Sequence, residues 1–145
     1  MDIKKFERID WVDNNIAISG YIVDYNKLVE ENIDIVINTR VEDNDDISIL
    51  SKKNIAYYWI PCLDNLAPRF DQFDTFNRIV NKNKDRKILI HCDNGRGRSA
   101  SFVISYLINK YNLTLDKAIE KLKEIRPIVS LTEFQVNKLY KLYGE

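Results

Sequence analysis

Scarcity is the first thing legible in this chain of 145 residues. Two cysteines, Cys62 and Cys92, are too few for a disulfide framework and point to a reducing compartment. Together with a single histidine, His91, they cannot supply the clustered ligands of a zinc site, so neither a metal nor another cofactor is expected. Basic and acidic residues number 22 each, which leaves no global field to draw in nucleic acid or an anionic membrane. Any basic site has to be local. No run of about 18 apolar residues could cross a bilayer, and the opening MDIKKFERID has no apolar core of signal-peptide length. These absences read as a soluble, cytoplasmic protein without membrane insertion. With 3 prolines, 4 glycines, no linker and no internal repeat, residues 1–145 are expected to form one domain that buries about two-thirds of its unfolded surface.

What is present is 45% hydrophobic and ordered as alternating elements. Short β-branched or aromatic runs at 16–19 (IAIS), 33–38 (IDIVIN), 55–60 (IAYYWI) and 87–90 (KILI) suit strands buried on both faces. Helices are expected near 24–31, 46–53 and 70–82. This alternation argues for an α/β fold with a central, mainly parallel sheet of about four or five strands flanked by helices. Beyond residue 98 the chain reads as helical. Ala100, Val103, Ile104, Leu107, Ile108 and Tyr111 mark one apolar stripe, and Leu115, Ala118, Ile119, Leu122 and Ile125 mark a second, closed by Pro127. A third helix is expected from Ser130, with SLTE as a capping box through Glu133, to about Tyr143.

Residues 91–100, HCDNGRGRSA, follow a predicted strand and open a predicted helix. Ligands in an open parallel sheet sit at such carboxyl ends. Gly95 and Gly97 let the backbone curl so that the amides of Asp93, Asn94, Gly95, Arg96, Gly97 and Arg98 can turn inward as a nest for an anion. The positive end of the following helix adds to the same spot. Donors converging on Cys92 favour its thiolate, a nucleophile at neutral pH. Arg98 can return across the loop and hold two oxygens of a tetrahedral anion with its planar fork. Phosphate is the natural guest, and the Ser99 hydroxyl can hydrogen-bond the sulfur.

The form H-C-x5-R-S resembles the phosphate-binding signature of the cysteine-dependent protein tyrosine phosphatase superfamily. WIPCLDNLAP at 59–68 resembles the acid loop of its compact dual-specificity and archaeal-type members, with Asp64 at the acid's position, 28 residues before Cys92. EIRP at 124–127 matches the arginine-proline at the end of their penultimate helix, and WVDNNIAISG looks like their opening strand. The resemblance implies a phosphatase that needs no metal and acts on phosphorylated proteins, phosphotyrosine first and phosphoserine or phosphothreonine besides. Expelling an alkoxide or phenoxide needs a proton, which the acid loop would supply.

Several residues carry a plainer reading beside the sharper one. His91 is expected to order the loop rather than act as a base, since adjacent strand residues face opposite sides. Cys62 reads as packing, with a redox partnership to Cys92 as its alternative, and Asp71 and Asp74 as decoration or caps of the helix near Arg69. Arg40 is open between guiding substrate and a surface salt bridge, and Gln135 between positioning water and an exposed helical place. Asp93 argues against multiply charged substrates while Arg96 argues for them, so inositol lipids and RNA 5′-triphosphate ends stay open. A phosphate-reading module without turnover and a sulfur-transfer domain are the rivals from other classes; neither explains Asp64 together with Cys92 and Arg98.

Overall fold

Alternation along three central strands splits the core in two. Ile16, Ile18, Ile35, Ile37, Ile88 and Ile90 face one side of the sheet, while Ala17, Val36 and Leu89 face the other. The computed structural model describes residues 7–144; Met1 to Phe6, part of the opening read above as lacking a leader, and Glu145 lie outside the described residues. Its strands are β1 (Asp10–Trp11), β2 (Ile16–Ser19), β3 (Ile35–Arg40), β4 (Ala56–Cys62) and β5 (Ile88–His91), in the order β1-β2-β5-β3-β4. All neighbours run parallel except β1 and β2. Helices α1 (Asn26–Glu30) and α2 (Ile47–Lys52) bring Leu28 and Leu50 to one face. On the other lie α3 (Phe70–Lys82), α4 (Arg98–Tyr111), α5 (Leu115–Ile125) and α6 (Glu133–Tyr143). The sequence-based expectation of an α/β fold with a helical second half matches this arrangement.

Three expectations change in detail. The run at 55–60 becomes an edge strand extended to Cys62, with Tyr58 and Trp59 exposed, rather than a strand buried on both faces. An edge position covers only one flank, whatever the strand's own composition. Helix α4 carries more than a stripe: every residue from Arg98 to Leu107 is buried. It lies between the sheet and helices α3, α5 and α6, so even Ser99, Ser101 and Ser105 are buried, each with a hydrogen-bond partner. Phe102 sits 5.1 Å, centroid to centroid, from both Phe73 and Phe76; replacing it by alanine would cost about 3–5 kcal/mol. Third, α6 is capped by Thr132 with Gln135 rather than by Ser130 with Glu133, because Ser130 is drawn into a bond with the loop before α4.

Candidate active site

The four parallel strands end on one side of the molecule, which gathers the loops after β3, β4 and β5 around the start of α4. There Asp64, Asn65, Cys92, Asp93, Asn94, Arg96, Gly97, Arg98, Ser130, Thr132 and Gln135 line a cleft of about 240 Å³. A larger cavity of about 540 Å³ opens elsewhere, beside the first residues of β5. Its walls are asparagine, lysine, tyrosine, valine and isoleucine side chains, without a nucleophile or carboxylate for this chemistry.

The shape of the 92–97 loop follows from where its carbonyls are held. Thr39 Oγ1 donates to the His91 carbonyl at 2.9 Å, and His91 Nδ1 lies 3.1 Å from that of Cys92. Tyr21 N–H donates to Asp93 O at 2.9 Å, and Ser130 N–H to Arg96 O at 2.9 Å. Arg126 holds two more, with Nη2 on Asn94 O at 3.1 Å and Nε on Gly95 O at 2.9 Å. Ser101 reaches Gly97 O through its N–H at 2.8 Å and its hydroxyl at 2.7 Å. A trans peptide aims its N–H opposite its C=O, so carbonyls tied outward from Cys92 to Gly97 turn the amides of residues 93–98 toward the cleft. Gly95 N–H donates to Cys92 Sγ at 3.2 Å. Gly95 makes this possible with φ +65, and a Cβ there would stand 2.7 Å from both Arg126 Nη2 and the Ser19 carbonyl.

Cys92 is buried, with the Ser99 hydroxyl 3.2 Å from its sulfur. Arg98 donates from Nη1 to Glu42 Oε1 at 2.6 Å and to the Cys62 carbonyl at 3.1 Å, and from Nη2 to Glu42 Oε2 at 2.8 Å. Its Nη2 also lies 3.5 Å from Asp64 Oδ1. The guanidinium holds the Glu42 carboxyl below the ordinary glutamate range; burial would lower the Arg98 pKa, but Glu42, Cys92 and Asp64 together outweigh it and raise the guanidinium's own. Asp64 lines the cleft with its side chain 67% exposed.

The remaining candidates fall into clear places. Asp93, Asn94, Arg96 and Gly97 line the cleft. Arg40 does not: it is buried, its Nε on Asn38 Oδ1 at 3.2 Å and its Nη2 on Asp45 Oδ1 at 3.2 Å. It also pairs through Nη1 with the exposed Asp43 at 3.7 Å, so it makes salt bridges from a buried position, because β3 runs two residues further than its composition indicates and takes the side chain into the interior. Gln135 is 1% exposed, which removes the exposed-helix reading. His91 orders the loop, its Nε2 2.6 Å from Asp45 Oδ2 and its Nδ1 on the Cys92 carbonyl. Cys62 packs in the core with its thiol pushed up to about 12 by burial. Asp71 pairs with Arg69 at 3.0 Å, and Gln72, not an aspartate, caps α3 by accepting from Arg69 N–H.

Sequence reasoning passed over Glu42, Asp45 and Thr132, and left Arg126 as a motif match without a task. Glu42 and Asp45 sit among the acidic residues at 42–46, where composition does not say which carboxylate turns inward. Their signal is position, immediately past the end of a central parallel strand.

Comparison with known proteins gives the family. The family described as Dual specificity phosphatase, catalytic domain, matches residues 20–144. Human Protein phosphatase Slingshot homolog 2 is 32% identical over 106 residues, which cover 73% of this chain and 7% of that protein. Tk-PTP in its active form superposes with a TM-score of 0.83 at 24% identity, over 92% of this chain and 95% of its own. PTPMT1 in complex with PI(5)P also gives 0.83, at 20% identity over 92% of each chain. These two share the fold. The chain spans about a third or less of the first curated relatives it matches. The loops carrying Cys92 and Asp64 and the helix that precedes Arg126 all fall within the matched span, and the chain belongs to the family of dual specificity phosphatase catalytic domains.

Proposed function

We propose that this chain hydrolyses phosphomonoesters on protein side chains, phosphotyrosine foremost and phosphoserine or phosphothreonine besides, through a phosphocysteine. One observation carries the reading: the six carbonyls from Cys92 to Gly97 all have partners away from the sulfur, and Gly95 N–H reaches that sulfur at 3.2 Å, beside Arg98 and Asp64. The equatorial oxygens of a phosphoryl group would rest on these amides and on Arg98, where preorganised donors stabilise charge as it develops.

The order of events follows from who holds Arg98. Glu42 and the Cys62 carbonyl anchor the guanidinium from behind, and Asp64 is its loosest partner at 3.5 Å. An arriving phosphate takes the place of Asp64 on Nη2 and frees that carboxyl to meet the leaving oxygen. Released from Arg98, Asp64 takes up a proton from solvent; the Cys92 thiolate attacks phosphorus, the P–O ester bond breaks, and Asp64 gives that proton to the departing oxygen. Asp64 then takes a proton from water as that water attacks the phosphocysteine. Ser99 donates to the leaving sulfur, and inorganic phosphate departs. Neutralisation comes from Arg98, the amides and the start of α4, so the scheme calls on no metal.

A second reading, a phosphoinositide or RNA 5′-triphosphate phosphatase, draws on Arg96 in the cleft wall and on the likeness to PTPMT1 with its inositol lipid. Asp93 beside it opposes a second phosphate.

Cys92→Ser is expected to abolish p-nitrophenyl phosphate turnover while phosphate still binds. Asp64→Asn should lower kcat by about 10²–10⁴ and remove the limb of the pH profile that belongs to the acid. EDTA should change nothing. Turnover surviving Cys92→Ser, or vanishing on chelation, would count decisively against the scheme; a panel of phosphopeptides, inositol phosphates and triphosphorylated RNA separates the two readings.

A further inference from the structure

The segment carrying Asp64 is exposed and short of partners of its own. Asn65 takes a left-handed conformation, φ 64, and donates its N–H back to Asp64 Oδ1 at 3.0 Å. Leu66 N–H closes a turn on the Leu63 carbonyl at 3.2 Å. What fastens this loop to the rest of the site is the start of α6. Thr132 Oγ1 donates to Asn65 O at 2.8 Å, and Gln135 Nε2 donates to Leu66 O at 3.2 Å.

Those two side chains also build the capping box of α6. Thr132 Oγ1 accepts from Gln135 N–H at 3.3 Å, and Gln135 Oε1 accepts from Thr132 N–H at 3.0 Å. Each polar group is therefore spent at both ends, its acceptor inside the helix and its donor on the acid loop. Gln135 is wedged as well, because a Cβ on Gly97 would lie 2.5 Å from its Oε1. Ser130 N–H meanwhile holds the Arg96 carbonyl of the phosphate loop. Residues 130–135 thus touch both loops that the chemistry needs in register. With one donor on the acid loop and one lone pair on the cap, the carboxamide is fixed in place at the cleft wall.

We propose that Thr132 and Gln135 form a latch that seats the Asp64 loop in its proton-donating position, as positioning residues for the general acid. The proposal rests on the reading of Asp64 as that acid. Its consequence is selective. Loosening the latch removes the proton from departing groups that need one and leaves good leaving groups almost untouched.

Gln135→Glu separates the latch from the cap. The carboxylate still accepts Thr132 N–H, and negative charge suits a helix N-terminus, yet the donor to Leu66 O is gone. Thr132→Val removes the other grip, and Thr132→Ser keeps it. The measurement is kcat on aryl phosphates from 2,4-dinitrophenyl to unsubstituted phenyl phosphate, with circular dichroism confirming the fold of each variant. Each hydrogen bond lost should cost roughly fivefold on phenyl phosphate, and both together roughly 30-fold. Dinitrophenyl phosphate should change by less than about twofold. Thr132→Ser should restore the wild-type slope. If Asp64→Asn steepens the leaving-group dependence while the folded latch variants keep the wild-type slope, or slow all substrates alike, the latch is overturned and the acid stands. If Asp64→Asn itself leaves the slope unchanged, the acid assignment falls and the latch with it.

Discussion

Arg126 offers the severest test of how the phosphate loop is held. Its side chain is 1% exposed and spans two structures, the Asn94 and Gly95 carbonyls on one side and, through Nη1 at 2.8 Å each, the Asp10 carboxylate and Arg8 carbonyl on the other. Burial lowers the Arg126 pKa from the ordinary guanidinium value, and Asp10 offsets part of that. Arg126→Met keeps the length and removes every donor. Breaking a buried pair by deleting one partner costs about 3–5 kcal/mol. At about 2 cal/mol/K of unfolding entropy per residue, 145 residues convert about 4 kcal/mol into a drop in Tm of roughly 13 °C. Turnover should suffer separately. With the Asn94 and Gly95 carbonyls released, the amides of Gly95 and Arg96 can turn away from the cleft, and one misplaced donor around a developing anion is worth about 10²–10³ in rate. Asp10→Asn is the companion, since it weakens the pair yet leaves Arg126 on the loop; it should lower Tm by less and hardly alter kcat/KM. Thermal unfolding followed by circular dichroism, and p-nitrophenyl phosphate kinetics at a temperature where every variant is folded, give the two readouts. A folded Arg126→Met protein with wild-type kcat/KM would refute the claim that these two bonds aim the loop.

Two further outcomes follow from the titration of buried groups. Burial pushes the Cys62 thiol up to about 12, so iodoacetamide near neutral pH should alkylate the native protein once, at Cys92, and peptide mapping that finds Cys62 modified at a comparable rate would contradict this. Burial raises the Asp13 pKa, but the hydroxyls of Tyr106 and Tyr111 and the N–H groups of Asn15 and Ile16 outweigh it and bring it from 3.8 to about 2. A depressed folded-state value means stabilisation present above about pH 4 and lost as pH falls toward 2, worth about 1–2 kcal/mol after allowance for solvent screening. Asp13→Asn should therefore be less stable than wild type near pH 6 and indistinguishable near pH 2 in urea titrations; a gap that stays constant with pH would refute it.

Legibility in the sequence tracked how local each feature is. Strand end, glycine loop and helix start are contiguous from Ile88 to Arg98, so apolar pattern, turn chemistry and spacing all speak for the same place. Asp64 was legible because its loop carries a second pattern of its own. Arg40 misled because a basic residue at the end of a parallel strand looks the same in sequence whether it faces ligand or core. Gln135 stayed open for a related reason: its neighbours set its helix, and only a loop about seventy residues away decides whether its carboxamide is exposed or buried against the Leu66 carbonyl.

The amino-acid string by itself singled out Cys92, Arg98 and Asp64 as candidates and determined the α/β character, because each rests on residues close together or on a period. Tertiary structure alone decided what holds them. Glu42 meets Arg98, Asp45 meets His91 and Arg126 meets Asn94 and Gly95 because the strand order brings separate loops to one end of the sheet. Such bonds depend on reach and direction across space, and no spacing along the chain records either.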